Sequence, residues 1–163
     1  MAGFKRTFGF NASVFEALKK KTEGMGAHSC HGGLVFDEMK LSENNSLKTS
    51  GELSGFVDLG PFTESNETSV SDHRLAIMFQ PFQGNWTQIL GVFASKGNVK
   101  ANILSKILLE ATILAEKSGL FVDYWTSDGP PWNRSLWKLF GIKGRPICIT
   151  TLVLNPIEPA QLP

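Results

Sequence analysis

Charge of one sign is what this 163-residue sequence most plainly lacks, because 16 lysines and arginines stand against 15 aspartates and glutamates for a net charge of +1. A free-standing nucleic-acid module carries a strong basic excess, so any contact with a polyanion has to come from a local patch. Cysteine is scarce too, and the pair present, Cys30 and Cys148, makes no CxxC motif and has no histidine at a zinc-finger spacing. This argues against a disulfide framework or a structural zinc and predicts reduced, buried thiols. No stretch approaches the roughly 18 apolar residues of a membrane span, and the opening "MAGFKRTFGFNASVF" has no apolar signal-peptide core. The expectation is a soluble, intracellular protein with no membrane partner, in which the N-x-S/T triplets at Asn11, Asn44, Asn66, Asn85 and Asn133 are chance matches. The length suits one domain with a sizeable core.

What is present is a clear alternation of helix and strand patterns. "FNASVFEALKKKTEGMG" predicts a helix capped by Asn11 or Ser13, with Val14, Phe15 and Leu18 on one face and a solvated lysine run, Lys19 to Lys21, at its C-terminal end. "GLVFDEMKL" has the apolar content of a strand, and the turn-rich "SENNSLKTSGELSGFVDLG" after it suggests a hairpin excursion. "PFTESNETSVSDH" reads as an exposed loop with a mobile backbone. Strands "LAIMFQPF" and "WTQILGVFAS" follow, joined by a turn around Gln83 and Gly84. The strongest helix is "VKANILSKILLEATILAEKSG", with a stripe of Ile103, Ile107, Ala111 and Leu114 and a C-capping Gly119. Then come an apolar strand ending at Ser127 and Asp128, a Gly-Pro-Pro turn, a helix in "WNRSLWKLFG", a strand from Ile147 to Leu154 and a Pro-rich end. Three sequential antiparallel strands followed by a β-α-β crossover predict an α/β fold, a mixed sheet with flanking helices. In it the first strand neighbours the strand at residues 120–126.

That neighbouring matters for Asp37 and Asp128. In open α/β sheets, sites form beyond the carboxyl ends of strands where the strand order switches, and the predicted pairing brings both side chains there. Two carboxylates a few ångströms apart repel unless a cation neutralises them, and hard oxygen ligands suit Mg²⁺ or Mn²⁺. The plainer alternative leaves Asp37 or Glu38 in solvent at a strand end and makes Asp128 a helix cap. Glu38 alternates to the side opposite Asp37, which favours a structural role over ligation.

Taken together, "GLVFDEMKL", "GELSGFVDLG" and "TSDGPPWNRSLWKLFGI" resemble the start of the RNase H-like catalytic domain of P-element-type transposases, the family that includes the THAP-domain transposase-derived proteins. The similarity runs from about Phe8 to Ile142. It implies a lead-in helix over 1–30, a partial RNase H-like catalytic core over 31–155 and a Pro-rich tail over 156–163. It further implies that Asp37 and Asp128 are two catalytic, metal-binding acids of a DDE triad, with Mg²⁺ or Mn²⁺ as cofactor. DNA at transposon ends is the implied partner, with a homo-oligomer and a nuclear location as further expectations.

This chain also departs from the family pattern. The third acid lies far downstream in the family, and Glu158 in "NPIEPAQ" sits in the wrong context for it. The family's zinc-coordinating DNA-binding domain and guanine-nucleotide-associated insertion have no counterpart within these 163 residues. An incomplete core, inactive by itself, is therefore expected; the alternative is a non-catalytic DNA- or protein-binding fragment. Asn133 and Arg134 open the last helix near Asp128, where they either approach a phosphate or complete the turn. Trp125, Trp132 and Trp137 read as core or lid residues before base-stacking ones. His28, His31 and His73 lack ligand spacing, and Lys96, Lys100 and Lys106 add a weak positive signal.

Overall fold

The computed structural model of the chain describes residues 8–40, 55–63, 68–128, 133–141 and 149–153. They form strand β1 (Gly9–Phe10), helix α1 (Ala12–Thr22), strands β2 (His31–Lys40), β3 (His73–Pro81) and β4 (Gln88–Ser95), helix α2 (Ala101–Lys117), strand β5 (Phe121–Asp128), helix α3 (Asn133–Leu139) and strand β6 (Ile149–Val153). The sheet order is β1-β4-β3-β2-β5-β6. β2, β3 and β4 are mutually antiparallel, and β5 returns parallel to β2. The crossover expected to begin at the turn after Asp128 is not formed there; the sheet's parallel crossover is carried by α2, from β4 past β3 and β2 to β5. The connection through α3 is different: it leads to β6, which lies antiparallel to β5.

Local chemistry explains the elements. The Asn11 side chain accepts from the Ser13 backbone N–H at 3.0 Å and starts α1, while Lys19, Lys20 and Lys21 occupy its last turn, where cations favour the helix dipole. That lysine run is not wholly solvated, since the Lys21 ammonium lies 3.5 Å from the centre of the Trp86 ring. At the end of α2, Gly119 has φ +83°, and the Thr22 hydroxyl donates to the Ser118 carbonyl at 2.7 Å, tying α1 to α2. The buried stripe of α2 is Leu104, Ile107, Leu108, Ala111 and Ala115; Ile103 and Leu114, expected inside, are only half-buried.

All three helices pack on one face of the sheet. Leu34 and Phe36 of β2, Leu75, Ile77 and Phe79 of β3, Phe93 of β4 and Val122 and Trp125 of β5 meet Phe15, Leu18, the α2 stripe, Leu136 and Trp137 in one core. Full burial of each such side chain contributes about 1.5–3 kcal/mol. Val35, Ala76, Met78, Val92, Tyr124 and Thr126 line the second face, half-buried and without a helix among the described residues.

Two segments depart from the sequence reading. β1, too short for a periodic signal, pairs with β4 through Gly9–Val92 and Phe10–Gly91, so the lead-in belongs to the sheet and core. The loop expected to be mobile is anchored where it is described: Val70 bridges Phe56, and buried Ser71 donates its hydroxyl to the Gly55 carbonyl at 2.8 Å. Residues 41–54 and 64–67, parts of the predicted hairpin and loop, lie outside the described residues, as do 156–163.

Neighbouring glycines at the start of β2 test this packing. A Cβ at Gly32 would run into backbone, the Gln80 carbonyl oxygen and Pro81 Cα, whereas one at Gly33 would meet only the ring of Tyr124, a side chain able to swing outward. Gly32→Ala is expected to cost about 1–3 kcal/mol or more, and Gly33→Ala less. Urea denaturation of both variants reads the difference, and equal losses would contradict this account.

Candidate functional site

Asp37 lies in β2 and Asp128 is the last residue of β5. Their relation is set by the β2–β5 register, which opens with His31 beside Phe121 and Gly32 beside Val122. The next pair is Gly33 with Tyr124, so Asp123 is skipped as the extra residue of a β-bulge. Side chains alternate between faces with period two, so the extra residue reverses the orientation of everything after it. Without it Asp128 would fall beside Glu38 on the helix-covered face. With it Phe36 lies beside Ser127, and one step further Asp37 and Asp128 stand next to each other on the open face at the carboxyl ends of both strands. Both are exposed. Partial desolvation, and then the charge of Asp37, push the Asp128 carboxyl above its ordinary range.

The bulge is held by the residue that makes it. Asp123 is only 5% exposed, and its Oδ2 accepts from the Gly32 backbone N–H at 3.1 Å while lying 3.0 Å from His31 Nδ1. The His31 ring stacks on Phe121, with centroids 4.5 Å apart. These contacts satisfy a carboxylate that would be costly to bury alone. Asp123 escaped the sequence reading, although an aspartate inside the apolar "LFVDYW" was a signal that something had to partner it.

Glu38 takes the opposite side from Asp37. Its Oε1 accepts from the Val99 backbone N–H at 2.8 Å, tying the β4–α2 loop to β2. α2 has no side-chain cap at Lys100 and no acid in its first turn, so this carboxylate serves its start from across the fold. Glu38 Oε2 is enclosed with no hydrogen-bond partner among the described residues. Burial raises the Glu38 pKa above its ordinary 4.5, opposed by the Val99 bond and His73, with Asp128 and Asp37 adding smaller upward pushes.

The remaining candidates scatter. His73 Nδ1 is 2.7 Å from Asp72, and His28 is exposed in a short 3₁₀ turn over Ala27–Cys30. Among the described residues no group of three His, Cys, Asp or Glu side chains converges. Trp125 and Trp137 are buried in the core, and Cys30 is a buried free thiol. Asn133 opens α3, and Arg134 beside it is exposed. Lys96, Lys100 and Lys106 are exposed. Trp132, Cys148 and Glu158 lie outside the described residues.

A family model described as "TNP-like, RNase H N-terminal domain" matches residues 6–141. The chain belongs to that family. It carries a P-element-type transposase RNase H-like domain, and the mixed sheet described above is that fold. A solved structure, the Drosophila P element transposase strand transfer complex, is similar at a TM-score of 0.55 and 18% identity, covering 83% of this chain and 26% of that one. The TNP-like chain therefore spans well under two thirds of that transposase, and at this identity the likeness establishes the fold. No curated protein matches the sequence.

Removing either internal clasp of the TNP-like domain should be measurable. Asp123→Ala orphans the buried Gly32 N–H and Glu38→Ala orphans the Val99 N–H, each costing about 1–3 kcal/mol in urea denaturation. Asp123→Asn, which keeps an acceptor oxygen, should cost less than Asp123→Ala. Because the folded state holds the Glu38 proton more tightly than the unfolded chain, stability should fall as pH rises above 4.5 through the raised folded value. Glu38→Gln should flatten that dependence, and identical slopes in the two proteins would show that another group titrates there.

Proposed function

We propose that this domain supplies two carboxylates, Asp37 and Asp128, to a divalent-metal site for DNA strand cleavage and joining. What supports the reading is the juxtaposition created by the Asp123 bulge: two acids on adjacent parallel strands, on one face, at the carboxyl end of the sheet. The donor set fits a hard cation, because carboxylate oxygens suit Mg²⁺ or Mn²⁺, and partial desolvation followed by the charge of Asp37 lifts the Asp128 carboxyl. Such a cation, when bound, polarises a phosphoryl oxygen and activates a water or hydroxyl nucleophile. The protein's own part is to hold both acids on a rigid sheet and to keep Glu38 turned away, on Val99. DNA is the proposed partner, because the similar P element transposase was solved as a strand transfer complex. A nuclear location and self-association belong to the same reading.

Two carboxylates fall short of the ligands that two-metal in-line displacement needs, and among the described residues no third acid joins them. The chain alone should therefore bind a metal weakly without cutting DNA. Calorimetric titration with Mn²⁺ should give binding heat that disappears in Asp37→Ala and in Asp128→Asn; no heat in the unaltered chain would reduce the acids to a structural role. A nicking assay on transposon-end duplex with Mn²⁺ should show no cleavage. Robust nicking abolished by Asp37→Ala would mean that the two acids suffice.

A further inference from the structure

The helical layer carries a feature that neither the core nor the acids use. α2 buries Leu104, Ile107, Leu108, Ala111 and Ala115 and touches both other helices. Its opposite face presents Asn102, Lys106, Leu109, Ile113 and Glu116, all exposed, at steps of four, three, four and three residues. Steps that average three and a half keep side chains in one seam along a helix, the repeat by which two helices pack along their length. Leu109 and Ile113, 47% and 51% exposed, hold the centre of that seam. One exposed leucine is ordinary on any surface. Two aliphatic side chains one turn apart, bracketed by a lysine before and a glutamate after, have the layout of a contact.

Charge decides the occupant. The midpoint of Leu109 and Ile113 is position 111, and the midpoint of Lys106 and Glu116 is position 111 as well. One two-fold axis at the level of Ala111, relating two antiparallel α2 helices, therefore satisfies both pairs at once. Leu109 meets Ile113 of the second copy and Lys106 meets its Glu116, and symmetry makes each contact twice. A parallel pairing would instead set lysine against lysine and glutamate against glutamate, which is disfavoured. Glu110 and Lys117 lie on the flank of the seam, Glu110 half-buried. Deepening the self-association proposed above, we infer that two copies of this chain pair antiparallel through α2, with Leu109 and Ile113 about the two-fold axis. The helices cover the face of the sheet opposite to Asp37 and Asp128. A dimer joined through α2 thus turns both acid pairs outward, each still open to a metal.

Sedimentation equilibrium of the whole chain over a wide concentration series is the test, and a monomer–dimer equilibrium is the expected result. Leu109→Gln combined with Ile113→Gln removes the apolar centre at two half-exposed positions. It should weaken the dimer about thirtyfold or more and leave urea unfolding of the monomer unchanged. Lys106→Glu and Glu116→Lys each oppose like charges in both symmetric layers, and each alone should weaken the dimer about fivefold or more. Combined in one chain they restore opposite charges, and the dimer should return towards its unaltered affinity. A monomer at every concentration would overturn the proposal. So would species growing beyond the dimer, which mark a head-to-tail contact, or a charge swap that fails to restore pairing. A dimer indifferent to the two glutamines would keep self-association and overturn this surface. Mn²⁺ titration separates the two readings: heat with no dimer keeps the metal site and sinks this inference, and a dimer with no heat does the reverse.

Discussion

The parallel pairing of β2 with β5 carries both the core and the acids of this domain, and it depends on how Asp123 is accommodated. Val122 and Trp125 both face the helices, three residues apart, which a regular strand cannot arrange with period two. The bulge resolves this by placing Asp123 between them without a partner in the ladder. Its carboxylate is then buried, and it is tolerable only because the Gly32 N–H and His31 supply polar contacts. The glycines at positions 32 and 33 let the neighbouring backbone and the Tyr124 ring come close enough for the pair to form. From that contact onward the register places Asp37 beside Asp128.

The sheet is accordingly two-sided in chemistry as well as in packing. On one face, Leu34 and Phe36 lead along β2 into the shared core, and Glu38, next in that alternation, spends one oxygen on Val99 to anchor the start of α2. On the other face, Asp37 continues a row that begins at Gly33 and Val35 and stays clear of the helices. Adjacent acids in one strand thus do unlike things for a simple reason: the pleat points them apart. A rigid strand also fixes each carboxylate relative to the other, which a loop would not do.

Much of the architecture was legible because its signals are local. α1 and α2 were readable from caps and apolar stripes, and β2 to β5 from runs of strand length between turn residues. The acids of "FDEM" and "SDG" were readable from their motifs, and the alternation of Asp37 with Glu38 from the pleat alone. Less was legible wherever an element is short or its partner distant. β1 has only Gly9 and Phe10 and no periodicity to detect, yet it pairs with β4. The polar stretch before β3 looked free, but Val70 and Ser71 are fastened to Phe56 and Gly55. The direction of β6 depends on which edge partner it meets, and nothing in its own residues specifies an antiparallel pairing with β5.

The sequence by itself determined the order of the longer helices and strands, the family and which acids to watch, since propensity, spacing and motif are properties of neighbouring residues. The tertiary structure alone decided that Asp123 is a bulge residue bonded to a backbone 91 positions earlier. With that it decided that Asp37 and Asp128 share a face, because a one-residue slip between two strands reverses the direction of every side chain beyond it. Only the folded chain also closes Val57, Leu59, Phe62, Val99 and Ile103 into one cavity, since their two segments lie far apart in the sequence.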